Sequence, residues 1–521
     1  MNFNLRQLYV VAGLVVLWRV CLLIFLAQPI PANDAAFFDT AMVNWYQHGH
    51  YVNPGLSVVF PISGHQVYAA YPPLYQVALL VWMKFFGTSV LSAMALHVTM
   101  FSVSVLLLVQ IIRRFFPTQS RYGVVPLLLL AMTFDDRPEG LAHIFGLAGL
   151  WVVGTFLQSG FRWQLAVGLV LALLATLYTS VIVAALYFGT GFLALAAGWW
   201  TRRDHRFFIP HFVAAGLFVI LTATIAKVEP LWWAGFQENA RQTPVLTTGF
   251  RIPNGLELIK LIRTAPVFLL ALAAVPLLWR HRDRLRGEGS AWLALTFGIF
   301  AMGVVLLVAD MTLLAANYVG YVLGLQVLLA AGLIALADKA VGQRFKWSTW
   351  ILVALVALIS VRALGLSTWG VVCAWKNSYP TSQQVLRSEF APYTTNGAPV
   401  VVASAYLYTA VAAGVQNPVH ADWYYDRANP DPNANIDGLI KLRPAKLVLV
   451  QFDYYRAFVP VLDRLKQLHP EVKQTVRDFT GVRVPDSIPA LQRVLQHITW
   501  APVVVDLDWS ALSAGPGEIK S

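Results

Sequence analysis

Two acidic clusters in this chain stand where carboxylates can act on a hydroxyl group. The first lies in the stretch from Asn33 to Tyr75, NDAAFFDTAMVNWYQHGHYVNPGLSVVFPISGHQVYAAYPPLY, which sets Asp34 and Asp39 just after a long apolar run. This stretch is too polar for hydrocarbon and too aromatic for an ordinary linker. The second is the turn Phe134-Asp135-Asp136-Arg137-Pro138-Glu139, with His143 one helical turn further on. A carboxylate beside an acceptor hydroxyl can take its proton as the oxygen attacks, which is general-base catalysis. We assign that role to Asp34; the competing reading is a cap on the helix AAFFDTAMVNWYQ. Asp39 falls on the same expected helix and suits a solvated or structural carboxylate, or a contact to substrate. Adjacent carboxylates at Asp135 and Asp136 are costly near a membrane unless solvated, paired or liganded. They can orient an acceptor or give oxygen ligands to Mg2+ or Mn2+; alternatively they cap a helix start, with Arg137 as a local ion partner. Glu139 and His143 share a helix face, which reads as a surface pair, with a metal site the weaker alternative. His65 and Glu139 complete the substrate-contact candidates around these carboxylates.

The elements that must position these groups are membrane spans. The chain has 521 residues, 58% hydrophobic and 12% charged, against about 25% charged in soluble domains. That balance describes a polytopic α-helical membrane protein. The net charge of +12 fits basic residues gathered on the cytoplasmic side and implies no nucleic-acid partner. Cys21 and Cys373 make no disulfide framework. Runs of roughly 20 apolar residues give about eleven spans, near 8–28, 90–112, 121–134, 140–159, 164–178, 180–199, 209–226, 260–279, 291–309, 313–336 and 348–366. The first apolar run is span-length and lacks a small-x-small cleavage site, so it reads as an uncleaved anchor.

With the N-terminus in the cytoplasm, the inner turns carry Arg113-Arg114 to Arg121, Arg162, WTRRDHR (200–206), WRHRDRLRGEG (279–289) and DKAVGQRFK (338–346). Each is net basic, as the positive-inside rule requires. The acidic turn at 133–140 and the long loop 227–259 then face outward. The segment 73–86 is too short to cross and reads as a re-entrant or surface helix, started by Pro72-Pro73; the first outer loop is thus 29–89. The outward cations Lys227, Arg241, Arg251, Lys260, Arg263 and Arg362 can hold a phosphate leaving group. Between span ends we note His97, Gln110, Asn317 and Gln326 and no carboxylate, Lys or Arg near mid-span. That pattern favours surface chemistry over transport.

The chain divides at about 366/367. Residues 1–366 form the membrane domain. Residues 367–521 form an extracytoplasmic α/β domain, with helices expected at 382–390 and 455–469 and strands at 398–404, 446–452 and 501–507. It carries no Gly-rich phosphate loop and no metal-spaced Cys/His set.

The motifs N-D-A-A-F-F-D-T-A (33–41), W-Y-Q-H-G-H-Y (45–51), Y-P-P-L-Y (71–75) and F-D-D-R-P-E (134–139) resemble those of GT-C membrane glycosyltransferases. The resemblance is to the group of protein O-mannosyltransferases and lipid A aminoarabinose transferases. It implies a GT-C-like fold and a sugar donor on polyprenyl phosphate or diphosphate. It implies inverting transfer to a lipid, glycan or protein acceptor on the extracytoplasmic face of a bacterial inner membrane. Asp34 matches the family's first-loop base, and Asp135 or Asp136 its second acidic position. Two departures stand out. Asp34 is followed by Ala35 where many relatives have Glu, and Tyr71 occupies the place of a phosphate-contacting Lys. Tyr71 therefore counts as a substrate-contact position, and the phosphate must be held by other groups. A lipid-linked sugar flippase and a polysaccharide polymerase or ligase are the competing functions. The topology is checked by alkaline phosphatase fusions: fusion after Ser521 is expected to be active and fusion after Arg206 inactive, and the reverse pattern would refute the assigned sides.

Overall fold

A computed structural model describes residues 5–26, 33–57, 60–69, 72–116, 139–242, 267–268, 270–272, 275, 291–312, 323–341, 379–421, 432–450, 456–479 and 501–512. Two compact units emerge. One contains Met1–Cys21, Tyr71–Val77 and Leu96–Ser367; the other contains Leu22–Ala70, Ala78–Ala95 and Thr368–Ser521. The opening loop therefore groups with the C-terminal segment, although the sequence reading had set it with the spans.

The first unit is helical. Its described elements are the start of α1 (Leu5–Leu26), most of α5 (Val90–Phe115), α6 (Glu139–Ser159), α7 (Trp163–Leu177), α8 (Val181–Arg202), α9 (Ile209–Val228), α10 (Pro230–Gln242), α11 (Ala291–Thr312) and α12 (Leu323–Val341). Six helices among the described residues are long and apolar enough to cross a membrane: Arg6–Phe25, Val90–Phe115, Glu139–Ser159, Val181–Trp199, His205–Val228 and Ala291–Ala309. Leu74–Phe86, Trp163–Leu177 and Gly324–Leu336 are apolar but shorter. The expected spans at 121–134 and 348–366, and most of the one at 260–279, lie outside the described residues. The described part of the expected loop after α9, residues 227–242, is largely helical. Pro230 starts α10, and Trp232 and Phe236 stack one turn apart at 5.7 Å.

Close helix contacts in this unit use small residues, as packing between membrane helices favours. At Gly298 an added Cβ would sit 2.5 Å from the Thr190 carbonyl oxygen, so α11 meets the α8 backbone directly. At Gly146 it would strike the Tyr187 ring. One end of the bundle collects basic and aromatic groups. Gln158 donates to the Arg114 carbonyl at 3.3 Å, and the Arg114 guanidinium lies 4.5 Å from the Trp151 ring. Arg113 donates to the Tyr9 hydroxyl, and Arg206 lies over Phe161. This is the end that the charge bias predicts to face the cytoplasm.

The second unit holds α2 (Asn33–His48), the short α3 (Pro61–His65), most of α4 (Leu74–Phe86), α13 (Tyr379–Phe390), α14 (Ser404–Ala412), α15 (Pro432–Leu442) and α16 (Arg456–Leu468). Its described strands are β1 (Val400–Val402), β2 (Pro418–His420), β3 (Lys446–Val450), β4 (Lys473–Asp478) and β5 (Pro502–Asp508). They are ordered β2-β1-β3-β5-β4. β1 runs parallel to β2 and β3, and β5 antiparallel to β3 and β4. The apolar runs of β1, β3 and β5 are buried in this sheet, as expected from their composition. β4 and β2 were not anticipated. The first is a polar edge strand with little apolar alternation, and the second is three residues long.

Lys446 and Asp506 pair across β3 and β5, and a charge cluster forms around them. Arg477 donates to both Glu389 oxygens at 2.6 and 2.7 Å and to Asp506 at 2.8 Å, while the Lys446 ammonium also meets Glu389. Burial opposes the Glu389 charge, but the hydrogen bonds from Arg477 and Lys446 outweigh it and hold the carboxyl below its usual range. A depressed carboxyl stabilises the fold above its unfolded pKa, and that contribution is lost as pH falls through the folded one. Glu389→Gln is therefore expected to destabilise the chain by about 3 kcal/mol at pH 7. The deficit should narrow below about pH 4, near the unfolded carboxyl pKa. Thermal unfolding of the purified chain at both pH values checks this, and an equal deficit at both would refute it.

Candidate functional site

The opening loop is folded throughout its described residues. α2 is buried at Ala36 and from Phe38 to Asn44, and it packs on α14. Gln47 donates to the Ala412 carbonyl at 3.1 Å, and the Phe37 ring meets the edge of His420 at 5.5 Å. His420 ends β2 and is hydrogen-bonded through Nε2 to the Ser404 hydroxyl at 2.9 Å. Asn53 fastens the return of the loop. Its carboxamide donates to the Ala36 and Phe37 carbonyls at 2.9 and 3.0 Å and accepts from the Gly55 amide at 3.2 Å. Its own amide donates to the Ser63 carbonyl. A Cβ at Gly64 would lie 2.3 Å from the Ser57 Cα, so only glycine permits this crossing. Beyond it, the Tyr68 amide donates to the Tyr51 carbonyl, and the Tyr51 ring lies between Trp45 and Tyr68. Burial pushes the Tyr51 phenol well above its usual range, so it stays protonated.

Asp34 is the second residue of α2, and its side chain lies outside the described residues. Asp39, one turn later, has no exposed surface, which excludes the solvated reading. His65 ends α3 exposed. Tyr71 lies outside the described residues.

In the first unit, Glu139 opens α6 only 2% exposed. The surface-pair reading of Glu139 and His143 is therefore wrong. The start of α6 is packed inward, with Gly140 against Met100 of α5. His143 is instead hydrogen-bonded through Nδ1 to the Tyr187 hydroxyl at 3.1 Å. Asp135, Asp136, Arg137, Arg251, Arg263 and Arg362 lie outside the described residues, as does the side chain of Arg241 on α10. Among the described residues no three His, Cys, Asp or Glu side chains group as metal ligands; the Asp135-Asp136 pair is not among them.

The sequence inventory of polar groups in the spans omitted Arg19. It lies in the second half of α1, 3% exposed, with its guanidinium 4.9 Å from the centre of the Phe101 ring. A lone Arg in an apolar run is the signal that could have found it, because intramembrane cations are rare. One turn before Phe101 on α5, His97 is 3% exposed and its Nε2 is hydrogen-bonded to the Tyr75 hydroxyl at 3.0 Å.

No protein-family model and no curated protein sequence matches the chain. Solved structures do. ArnT from Cupriavidus metallidurans bound to undecaprenyl phosphate is similar with a TM-score of 0.50 and 14% identity, over 98% of this chain and 99% of that one. The apo state of the same protein gives a TM-score of 0.47 and 16% identity over the same shares. At this identity the first likeness is one of fold, and it runs the length of both chains. The helical membrane fold expected from the sequence is thus also that of a solved structure.

Asn53 is the residue on which the loop's shape most depends. Asn53→Leu removes three side-chain hydrogen bonds and leaves the buried Gly55 amide unpaired, a loss of about 2–4 kcal/mol. The expected result is faster hydrogen exchange of the α2 amides with the β3 amides unchanged; unchanged exchange in α2 would show that Asn53 does not hold it.

Proposed function

We propose that this chain is an integral-membrane glycosyltransferase of the extracytoplasmic face of a bacterial inner membrane. It moves a sugar from a polyprenyl-phosphate donor to an acceptor hydroxyl, with inversion. The observation that carries this reading is the fold likeness, over 98% of the chain, to an ArnT structure bound to undecaprenyl phosphate. The opening motif N-D-A-A-F-F-D-T-A supports it. The full span count on this reading is about eleven, with a cytoplasmic N-terminus and a periplasmic C-terminal domain.

The reaction follows from the assigned roles. The donor's isoprenoid tail stays in lipid, and its sugar-phosphate head reaches the outer boundary. The acceptor oxygen bonds to the anomeric carbon as the bond from that carbon to the phosphate oxygen breaks. The acceptor proton passes to the Asp34 carboxylate, and polyprenyl phosphate leaves with its negative charge held by cations. Asp135 and Asp136 orient the acceptor or hold Mg2+ or Mn2+; loss of activity in EDTA, restored by either ion, would support the second role. Glu139 and Asp39 act as buried supports of the acidic turn and the opening helix.

A lipid-linked sugar flippase is the second reading. The buried Arg19 favours it, since an intramembrane cation is also a feature of transport pathways. Transport of intact donor across vesicles without any glycosyl transfer would select it.

Purified Asp34→Asn, supplied with a polyprenyl-phosphate sugar and an envelope-lipid acceptor mixture, is expected to lose at least about 100-fold in kcat, the low end for a general base. Binding of undecaprenyl phosphate should be unchanged. Transfer at the wild-type rate would remove Asp34 from the role of base.

A further inference from the structure

Two helices leave the basic end of the first unit side by side. α7 and α9 pack on each other, and an arginine heads each of them. Arg162 caps α7, and Arg206 lies in the short turn His205–Phe208 that leads into α9. The Phe161 ring stands between the two heads. It meets the Trp163 ring at 5.0 Å, and the Arg206 guanidinium lies 5.5 Å from its centre. Asp204 fixes Arg206 in place. Its carboxylate accepts from the Arg206 amide at 3.1 Å and from Nε and Nη2 at 3.0 Å each. The Nη1 group is left outside that pair. Arg162 is exposed and pairs with no carboxylate among the described residues. The same holds for Arg113 and Arg114 at the end of α5, which the Gln158–Arg114 hydrogen bond ties to the last turn of α6.

Below these cations both helices present apolar surface. Trp163, Val167 and Leu171 follow one another at single turns along α7 and are 63%, 57% and 61% exposed. On α9, Phe212 and Val219 share a face two turns apart and are 67% and 65% exposed. A Cβ at Gly168 of α7 or Gly216 of α9 would meet nothing within 4 Å, so neither notch is filled. Two arginines over two apolar strips complement a molecule with a phosphodiester head and two acyl chains. A soluble acidic partner matches the arginines and leaves the strips bare. A zwitterionic lipid covers the strips and leaves the positive charge unbalanced.

We propose that Arg162 and Arg206 bind the phosphodiester of one anionic glycerophospholipid, taken from the leaflet at the basic end, with its acyl chains along α7 and α9. Both guanidinium groups donate charge-assisted hydrogen bonds to the phosphate oxygens. Trp163 lies at the glycerol level, where indole rings are favoured. Arg113 and Arg114 add to the positive potential that draws an anionic head to this end. The proposal requires only the membrane spans and stands apart from the transferase reading.

The test offers the full chain, purified in mild detergent, equal amounts of phosphatidylglycerol and phosphatidylcholine, and counts retained lipid by native mass spectrometry. The wild-type chain is expected to keep one phosphatidylglycerol in preference to phosphatidylcholine. Arg162→Gln and Arg206→Gln should each weaken that retention about tenfold, and Arg162→Lys should weaken it less, since it keeps the charge and loses the fork. Lys473→Gln removes an equal charge from β4 in the second unit and should leave retention unchanged. Melting with phosphatidylcholine alone reports on folding. Arg162→Gln is expected to melt there with the wild type and to lose the upward shift that phosphatidylglycerol gives the wild type. Equal retention of both lipids by the wild type, or undiminished phosphatidylglycerol in both Gln variants, would overturn the proposal. So would an equal loss in Lys473→Gln, which would mean attraction by net charge alone. Displacement of the lipid by a polyglutamate peptide would overturn it as well, in favour of a soluble acidic partner.

Discussion

Hydrocarbon solvates neither charge nor open backbone, and this constraint accounts for most of the first unit. Backbone groups must be satisfied within a segment, so the crossing elements are helices. Side-chain hydroxyls in them bond back to the preceding turn, as Thr155 does to Trp151, Thr176 to Ala172 and Thr296 to Trp292. Arginines collect with aromatic rings at one end, where heads can reach water and stems lie in lipid. The buried imidazole of His97 and the half-buried one of His143 each meet a tyrosine hydroxyl. Arg19 and Glu139 are the groups that strain the rule furthest, and both lie away from the basic end of their helices.

The second unit solves a different problem. An opening loop carrying a proposed base must hold that base in place while facing water. Here it is built as a helix laid on α14 and tied back by one buried carboxamide, Asn53. A catalytic group on a helix supported by a packed sheet keeps its geometry better than one on a free loop. The charge cluster of Glu389, Lys446, Arg477 and Asp506 ties α13 to β3, β4 and β5 and so stiffens the sheet from which α14 rises.

Much of this was legible in the residues. Apolar length marked the described spans, because length is what a bilayer reads. The runs of valine and leucine at β1, β3 and β5 announced buried strands. Other features depend on partners far away in sequence. Nothing local distinguishes the buried Asp39 from a solvated one, or the inward Glu139 from a surface pair. α14, SAYLYTAVA, is buried on every face and so shows no amphipathic period. Arg19 was legible and was passed over, since a single charge scarcely lowers the hydropathy of a long run. The grouping of the opening loop with the C-terminal sheet lies across more than 300 residues of chain, as the Gln47–Ala412 hydrogen bond shows, and no periodicity encodes it.

The central claim is a single displacement at the anomeric carbon of a lipid-linked sugar. Proton NMR of the product formed from a donor of defined anomeric configuration tests it most directly. The account predicts one product whose anomeric proton has the configuration opposite to that of the donor. Retention of configuration, or donor recovered intact while the chain moves it across the membrane, would contradict it.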